Sequence, residues 1–494
     1  MPGLVHIGSL LVCLLVLALS DGRQAHAGEW RLRPSLGVTQ RYSDNVNAAP
    51  SGREQSEFIT SVNSGVSLNG QGGRASVRAN YNAQRYYFLG GERENRVTHF
   101  LGSGLQTEII RNFLFVDANA TMAPTLINNT GRITNQNYLG IDQNRANVIN
   151  YGFTPRLQHR FGSWATATAS TSFRDTTATR EDDDDGPNLA GSGNNSNYNA
   201  SLASGRRFTR FDWGVNFSER SFTADRTGEE STLRNTRFQL GYRLNRKLRL
   251  NSSVGVESND FVGNQRNGNG SGTWSIGANY NPTPRTNLAG NYGRRPFGQT
   301  KNFDFSHRFR RAVINGSYQE DYRTTSEILQ EQQIYRTVDE FGQPLEDLLD
   351  PTELIDPDLP IDNLSLTDDV FVSRNFRVSI GYRYRLNSYS LGIFRSEQES
   401  SRTLNTEEAL GTNFRWSRPL SPRSTASLSI THQDRSGSAR TGSLQALFIS
   451  PRLTYRLGQH VNMSFGYSHS RNSSDTGEFD YEENSATATL SYAF

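Results

Sequence analysis

The sequence predicts an antiparallel β-barrel that crosses a membrane with about 22 strands, within a range of roughly 18 to 24. Three observations predict it. Beyond residue 20 no apolar run is long enough for a spanning helix, and a chain that crosses lipid without helices must close its sheet so that no backbone edge meets hydrocarbon. Segments of about ten residues alternate apolar and polar side chains, as a strand with one face on lipid and one on water requires. The connections between these segments alternate short and long, as in barrels with tight periplasmic turns and larger outside loops. Composition agrees. An apolar content of 34% with 44 Gly is a poor match to a soluble core, while 11% aromatics and regular alternation argue against disorder.

Taken in order, the first element is "SLLVCLLVLALS" (residues 9–20) followed by "AHA" (25–27), which reads as an export signal with its cleavage site, although the segment before it carries His6 and no Lys or Arg. The expected organisation is therefore a signal peptide over residues 1–27 and a single barrel over 28–494. Cys13 is the only cysteine and lies inside the signal. The exported chain is expected to hold no thiol, which excludes disulfides, thiolate zinc and a cysteine nucleophile.

The first strand places Trp30, Leu32, Leu36 and Val38 on one face and stops at "RYSDNVN" (41–47). Asp44, Asn45 and Asn47 raise three readings: a turn, because Asx side chains bond their own backbone; a cation or lipopolysaccharide contact; or catalysis. The turn is preferred. Further on, Val77, Ala79 and Tyr81 face lipid while Arg78, Asn80 and Asn82 face water. The same division sets Phe238, Leu240 and Tyr242 against Arg237, Gln239 and Arg243, and Phe376, Val378 and Ile380 against Arg377, Ser379 and Arg383. Short turns are expected near 70–73, 111–112, 162–163, 209–210, 245–246, 281–285 and 458–460, and long connections near 43–57, 123–144, 175–196, 257–271 and 324–369. The last strand, "NSATATLSYAF", carries Leu490, Tyr492 and the terminal Phe494 on one face. A terminal aromatic on such a strand resembles the signal read by the barrel assembly machinery, and membrane lipid with lipopolysaccharide is the expected surrounding.

Charge sharpens the functional question. The chain has 50 Arg and two Lys, Lys247 and Lys301. Arg78, Arg237, Arg243, Arg308, Arg377, Arg383 and Arg452 fall on predicted lumen faces. There they either brace the wall against Asp212, Asp304, Glu320 or Asp321, or select anions through the guanidinium fork. The tract "REDDDDG" (180–186) makes Asp182, Asp183, Asp184 and Asp185 weak candidates for a hard cation, with a solvated acidic loop as the simpler reading. Residues 324–369 hold 13 Asp or Glu against Arg336 alone. Opposite charge favours this segment folding inward to narrow or close the pore; the alternative is a solvated outside loop or partner-docking arm. Within it, "SEILQEQQIY" (326–335) is expected to form a short helix with Ile328, Leu329 and Gln332 on one side, ended by the proline-rich "DPTELIDPDLPID".

Enzymatic readings find little support. His99, His159, His307, His432, His460 and His469 are scattered without metal-ligand spacing, and a barrel hydrolase built around His469 with Ser468 or Ser470 is the distant alternative. No phosphate loop, dinucleotide fingerprint or zinc cluster calls for a cofactor, and no nucleic-acid partner is expected.

The stretch "RYSDNVNAAPSGREQSEFIT", followed by "SVNSGVSL" and paired with the Phe494 terminus, resembles the exosortase (PEP-CTERM) system-associated outer-membrane proteins. That resemblance implies a barrel of this length encoded beside exopolysaccharide synthesis and export genes, acting as pore, scaffold or assembly factor, with exopolysaccharide and its export components as partners. It carries no site residues. The rival reading is a general or solute-specific porin. A plugged, energy-coupled transporter is disfavoured because strand 1 begins soon after the signal, and the sheath of an electron conduit because cysteines are expected near its mature start.

Overall fold

The computed structural model describes residues 28–90, 94–128, 144–180, 188–261, 271–331, 365–437 and 442–494. The expected signal peptide, Asp182 to Asp185 and the middle of the acidic connection lie outside them. Twenty-two strands, numbered β1 to β22 in chain order, run from β1 (Glu29–Ser43) to β22 (Tyr481–Ala493). Each pairs antiparallel with the next, and β22 returns to β1, so the sheet closes. No described helix is long and apolar enough to cross a membrane.

Alternation builds the wall. On β1, Leu32, Leu36 and Val38 project outward and are exposed, while Thr39 is buried on the other face and bonds Thr489 of β22 at 2.9 Å. The strands span ten residues in β13 (Thr286–Arg295) to seventeen in β6 (Arg145–Phe161). At about 3.4 Å per residue and a tilt near 40°, most are longer than an apolar band of about 25 Å needs. The surplus lies at the end of the long connections, where outward residues turn charged: Arg374 of β16 (Phe371–Tyr384) pairs with Glu397 and Glu399 of β17 (Asn387–Ser400).

The ten short turns run from two to six residues, and some use left-handed backbone, with Asn112 at φ 57°, Gly162 at 56° and Arg385 at 55°. Turn positions differ from the expected ones by a few residues. The turn placed at 209–210 occupies 205–210. Both termini of the barrel lie on the short-turn side, which is the periplasmic side by the usual asymmetry.

Candidate functional site

The lumen is the candidate site, and its two ends are built differently. At the outer end, the connection after β15 (Ala312–Arg323) opens with helix α1 (Thr325–Glu331). Thr324 and Glu327 form a reciprocal cap: Glu327 N donates to Thr324 Oγ1 at 3.2 Å, and Thr324 N to Glu327 Oε2 at 3.1 Å, satisfying two donors that a helix start leaves open. Leu329 is buried against Ala146 and Val148 of β6 and Ala178 of β7 (Ala165–Arg180). These three occupy the face opposite the exposed Tyr151, Phe153 and Phe173, so α1 packs on the inner wall. The buried Ser326 hydroxyl lies 2.6 Å from Thr176 Oγ1 and accepts from Asn195 Nδ2 at 2.6 Å. Of the residues expected on the helix's apolar side, Leu329 is buried, Ile328 is half-buried and Gln332 lies outside the described residues.

The returning end of the same connection, residues 365–370, ties several loops together. Leu366 N donates to Ile127 O at 2.9 Å, Gly191 N to Asp368 Oδ1 at 2.7 Å, and Ser365 N to Glu407 at 3.0 Å. Arg226 pairs with Asp368 at 2.8 Å. Ile127 follows β5 (Leu114–Leu126), whereas Glu407 belongs to β18 (Thr406–Ser421), far around the ring, so this segment reaches across the mouth. Arg402 bonds Glu229 through two nitrogens, at 3.0 and 2.6 Å, joining two other outer loops. Those bonds hold the Glu229 carboxyl below its ordinary range and raise Arg402, each partner's charge adding to the effect.

Below the mouth an ion network runs along the inner wall. Arg295 of β13 pairs with the fully buried Glu257 at 3.0 Å and with Asp321 at 2.7 Å; Arg220 reaches Asp321 at 3.6 Å and Glu327 of α1 at 3.3 Å. Asp212 pairs with Arg249 through two bonds. The bracing arginines are thus Arg220, Arg249 and Arg295, none of which the sequence pattern singled out. Glu320 is corrected as a brace: it shares the outward face with Tyr318, whose hydroxyl donates to it.

The sequence-derived lumen arginines lie on inward faces and are not gathered into one cluster. Arg237 and Arg377 sit near mid-strand. Arg78 of β3 (Ala75–Phe88), Arg243 of β10 (Glu230–Arg243), Arg308 of β14 (Gly298–Arg308), Arg383 of β16 and Arg452 of β20 (Ser443–Arg456) lie in the periplasmic half. Arg243 donates to Thr209 O at 3.2 Å. The lower lumen is therefore a basic vestibule.

Its rim is more basic still. The ten periplasmic turns together hold twelve Arg or Lys and no Asp or Glu. Arg206, Arg207 and Arg210 share one turn, Arg246 and Lys247 another, Arg310 and Arg311 a third, and five more turns carry one arginine each. The eleven outer connections reverse the sign, with 29 Asp or Glu against eight Arg in the sequence. Charge counted turn by turn would have found this polarity; charge counted over the whole chain hides it.

The "RYSDNVN" motif has a definite position. Asn45 is fully buried; its Oδ1 accepts from Ala49 N at 2.9 Å, and its Nδ2 donates to Ala49 O at 2.8 Å and Glu482 O at 2.9 Å. Asp44 accepts from Asn484 N at 2.7 Å and Asn484 Nδ2 at 2.9 Å. The turn reading describes Asn45 and misses that the same residues grip the last strand. Asn47 bonds Gln55. His469 has no serine partner on its face: Ser468 and Ser470 point to the other side of β21 (Val461–Ser474), and the ring bonds Asn484 at 2.9 Å. Among the described residues no group of three or more His, Cys, Asp or Glu is placed to hold a metal. At the C-terminus Phe494 is 65% exposed, its amide donates to Pro34 O at 3.0 Å, and its ring meets Tyr492 edge-on at 4.7 Å.

No family model and no curated protein sequence matches the chain. Among solved structures it is similar to a mutant ferric enterobactin receptor of Pseudomonas aeruginosa, PfeA, in complex with enterobactin, with a TM-score of 0.50 and 11% identity over 96% of this chain and 82% of that one. It is also similar to the siderophore receptor PirA of Acinetobacter baumannii, with a TM-score of 0.50 and 9% identity over 94% and 80%. At these identities the likeness is one of fold. The chain is a 22-stranded outer-membrane β-barrel, and its lipid-facing exterior places it in a bacterial outer membrane.

Proposed function

We propose that this barrel takes an anionic polymer, of the acidic exopolysaccharide class, from the periplasm and serves an exopolysaccharide or exosortase-linked envelope system. The observation that carries the reading is the basic vestibule: inward arginines of the periplasmic half, reached past a rim without carboxylates. A cleft of one sign focuses its field and raises the encounter rate of opposite charges, and guanidinium forks match sugar carboxylates in two-point contacts. The resemblance carried by "RYSDNVN" and Phe494 supports the same class of cargo. The outer mouth, crossed by α1 and residues 365–370, is where passage is controlled in this reading.

The test is single-channel recording in a planar bilayer with polygalacturonate oligomers added to one side at a time. Blocking events are expected about tenfold or more often from the periplasmic side, and fewer in an Arg78→Gln, Arg308→Gln, Arg383→Gln variant. Equal blocking from both sides, or equal blocking by neutral dextran, overturns the proposal. A porin for small anions is the second reading, favoured by the same arginines; block by short dicarboxylates as strong as by the oligomers selects it.

A further inference from the structure

The basic rim lies outside the lumen. We propose that the periplasmic turns form a collar that binds the phosphate groups of anionic phospholipids in the inner leaflet of the outer membrane. The first ground is sign: a ring of ten turns, eight of them with Arg or Lys and none with Asp or Glu, at the level where the wall leaves hydrocarbon, faces headgroups by topology. The second is that the collar's most basic turns form no ion pairs. Of the seven cations in its three most basic turns, none has a carboxylate partner among the described residues, whereas the inner wall's Arg220, Arg249 and Arg295 are all paired. The arginines of the inner-wall ion network find carboxylates; the seven cations of these rim turns do not.

The third ground is direction. Arg207 lies over the Trp164 ring at 4.0 Å, and Arg311 and Arg385 both lie over Tyr384 at 5.4 Å. Trp164 is 55% exposed and Tyr384 shares the lipid-facing side of β16 with Tyr382. Cation–π contact holds these guanidinium groups on the bilayer side of the rim, at the depth where amphipathic rings meet headgroups. Arg385 also occupies left-handed backbone at φ 55°, a conformation that glycine or asparagine accepts with less strain. The turn keeps a guanidinium where a small residue would be more relaxed.

The occupant is lipid rather than an acidic polymer because the ring-stacked arginines point away from the lumen axis. Native mass spectrometry of the full chain, folded in detergent with equal amounts of phosphatidylglycerol and phosphatidylcholine, tests this. Phosphatidylglycerol should be retained preferentially, and each Arg→Gln change among Arg207, Arg310, Arg311 and Arg385 should weaken it by up to about fivefold, with Arg→Lys retaining much of the preference. Arg226→Gln at the outer end should leave it unchanged. Equal retention of both lipids, an unaltered preference in the quadruple variant, or displacement of phosphatidylglycerol by polygalacturonate at the same residues overturns the proposal. If the quadruple variant fails to fold, raising salt from about 0.05 to 0.5 M on the unmodified protein decides: a preference that survives is not electrostatic, and the collar fails.

Discussion

Between β1 and β22 the backbone ladder runs for nine residue pairs, from Ser35 opposite Ala493 to Ser43 opposite Ser485. Between β14 and β15 it runs for six, from Phe303 opposite Tyr318 to Arg308 opposite Val313. The neighbouring β15 and β16 share twelve. The first short seam is reinforced beyond its ladder: Asp44 and Asn45 hold Asn484 and Glu482, Ser43 donates to Glu483 at 2.7 Å, and Arg41 to Ser485 at 2.9 Å. The second is only spliced, with Glu320 N donating to Asn302 Oδ1 at 3.0 Å and Lys301 N to Glu320 Oε2 at 3.1 Å. The difference follows from chain connectivity. β14 and β15 are joined by a three-residue turn, so their ends are never far apart. β1 and β22 are joined only through the whole barrel, so closing that seam costs loop entropy that no local turn offsets. Side-chain staples stand where a hairpin turn would otherwise be.

The largest effect should come from breaking the staple. Asn45 is buried with both ends of its amide bonded, so Asn45→Ala removes three hydrogen bonds worth about 1 kcal/mol each and leaves buried backbone groups unpaired. A loss of about 3 kcal/mol or more in equilibrium unfolding is expected. A double-mutant cycle of Asp44→Ala with Asn484→Ala should show coupling of about 1 to 3 kcal/mol. Additivity would mean that the first loop does not hold the last strand. Deleting Phe494 sharpens the same point from the other end: one backbone bond and one ring contact are lost, so refolded protein should change by only about 1 kcal/mol, while surface levels in cells should fall if the terminal aromatic is read during insertion.

A smaller effect is expected at the spliced seam. Glu320→Ala removes the carboxylate that Lys301 N uses, and exchange at that amide should quicken about tenfold, the equivalent of one hydrogen bond of about 1.4 kcal/mol. Amides of Ser35 to Ser43 should not respond. If both seams loosen together, the barrel opens as one cooperative unit and the contrast between them disappears.

Much of this architecture was legible in the sequence. Strand count, loop asymmetry and the terminal aromatic follow from period-2 alternation and from where it stops. The joints were less legible. Alternation assigns a face, and where the β14–β15 ladder ends both strands turn polar on both faces, in "GQTKN" and "QED"; β17 does the same at "SEQES", where its ladder with β18 continues, so polarity alone does not mark the gap. Asp44 and Asn45 satisfy turn chemistry by themselves, which conceals a second set of partners some 440 residues away. The same limit hid the bracing arginines: Arg295 meets Glu257 and Asp321 across neighbouring strands, and facing alone does not choose such partners over Arg237. The basic collar is different. It depends on summing charge within turns a few residues long, and the sequence contains it in full.

The smallest expected effect concerns a joint with no ladder at all, the Arg402 bonds to Glu229 across the outer mouth. Arg402's hydrogen bonds, helped by its charge, lower the Glu229 carboxyl from its ordinary value near 4.5. A carboxyl whose folded value is depressed contributes stability that is present above the unfolded value and is lost as pH falls through the folded one. Both side chains are about half exposed, at 53% and 50%, so solvent screens the pair and its contribution is slight. The unfolding midpoint of Glu229→Gln should therefore fall marginally below that of the unmodified barrel at pH 6, converge with it as pH drops through the depressed folded value, and converge also at pH 6 in about 1 M salt. A difference that grows as pH falls would reverse the sign, and would mean that the mouth is held by something other than this pair.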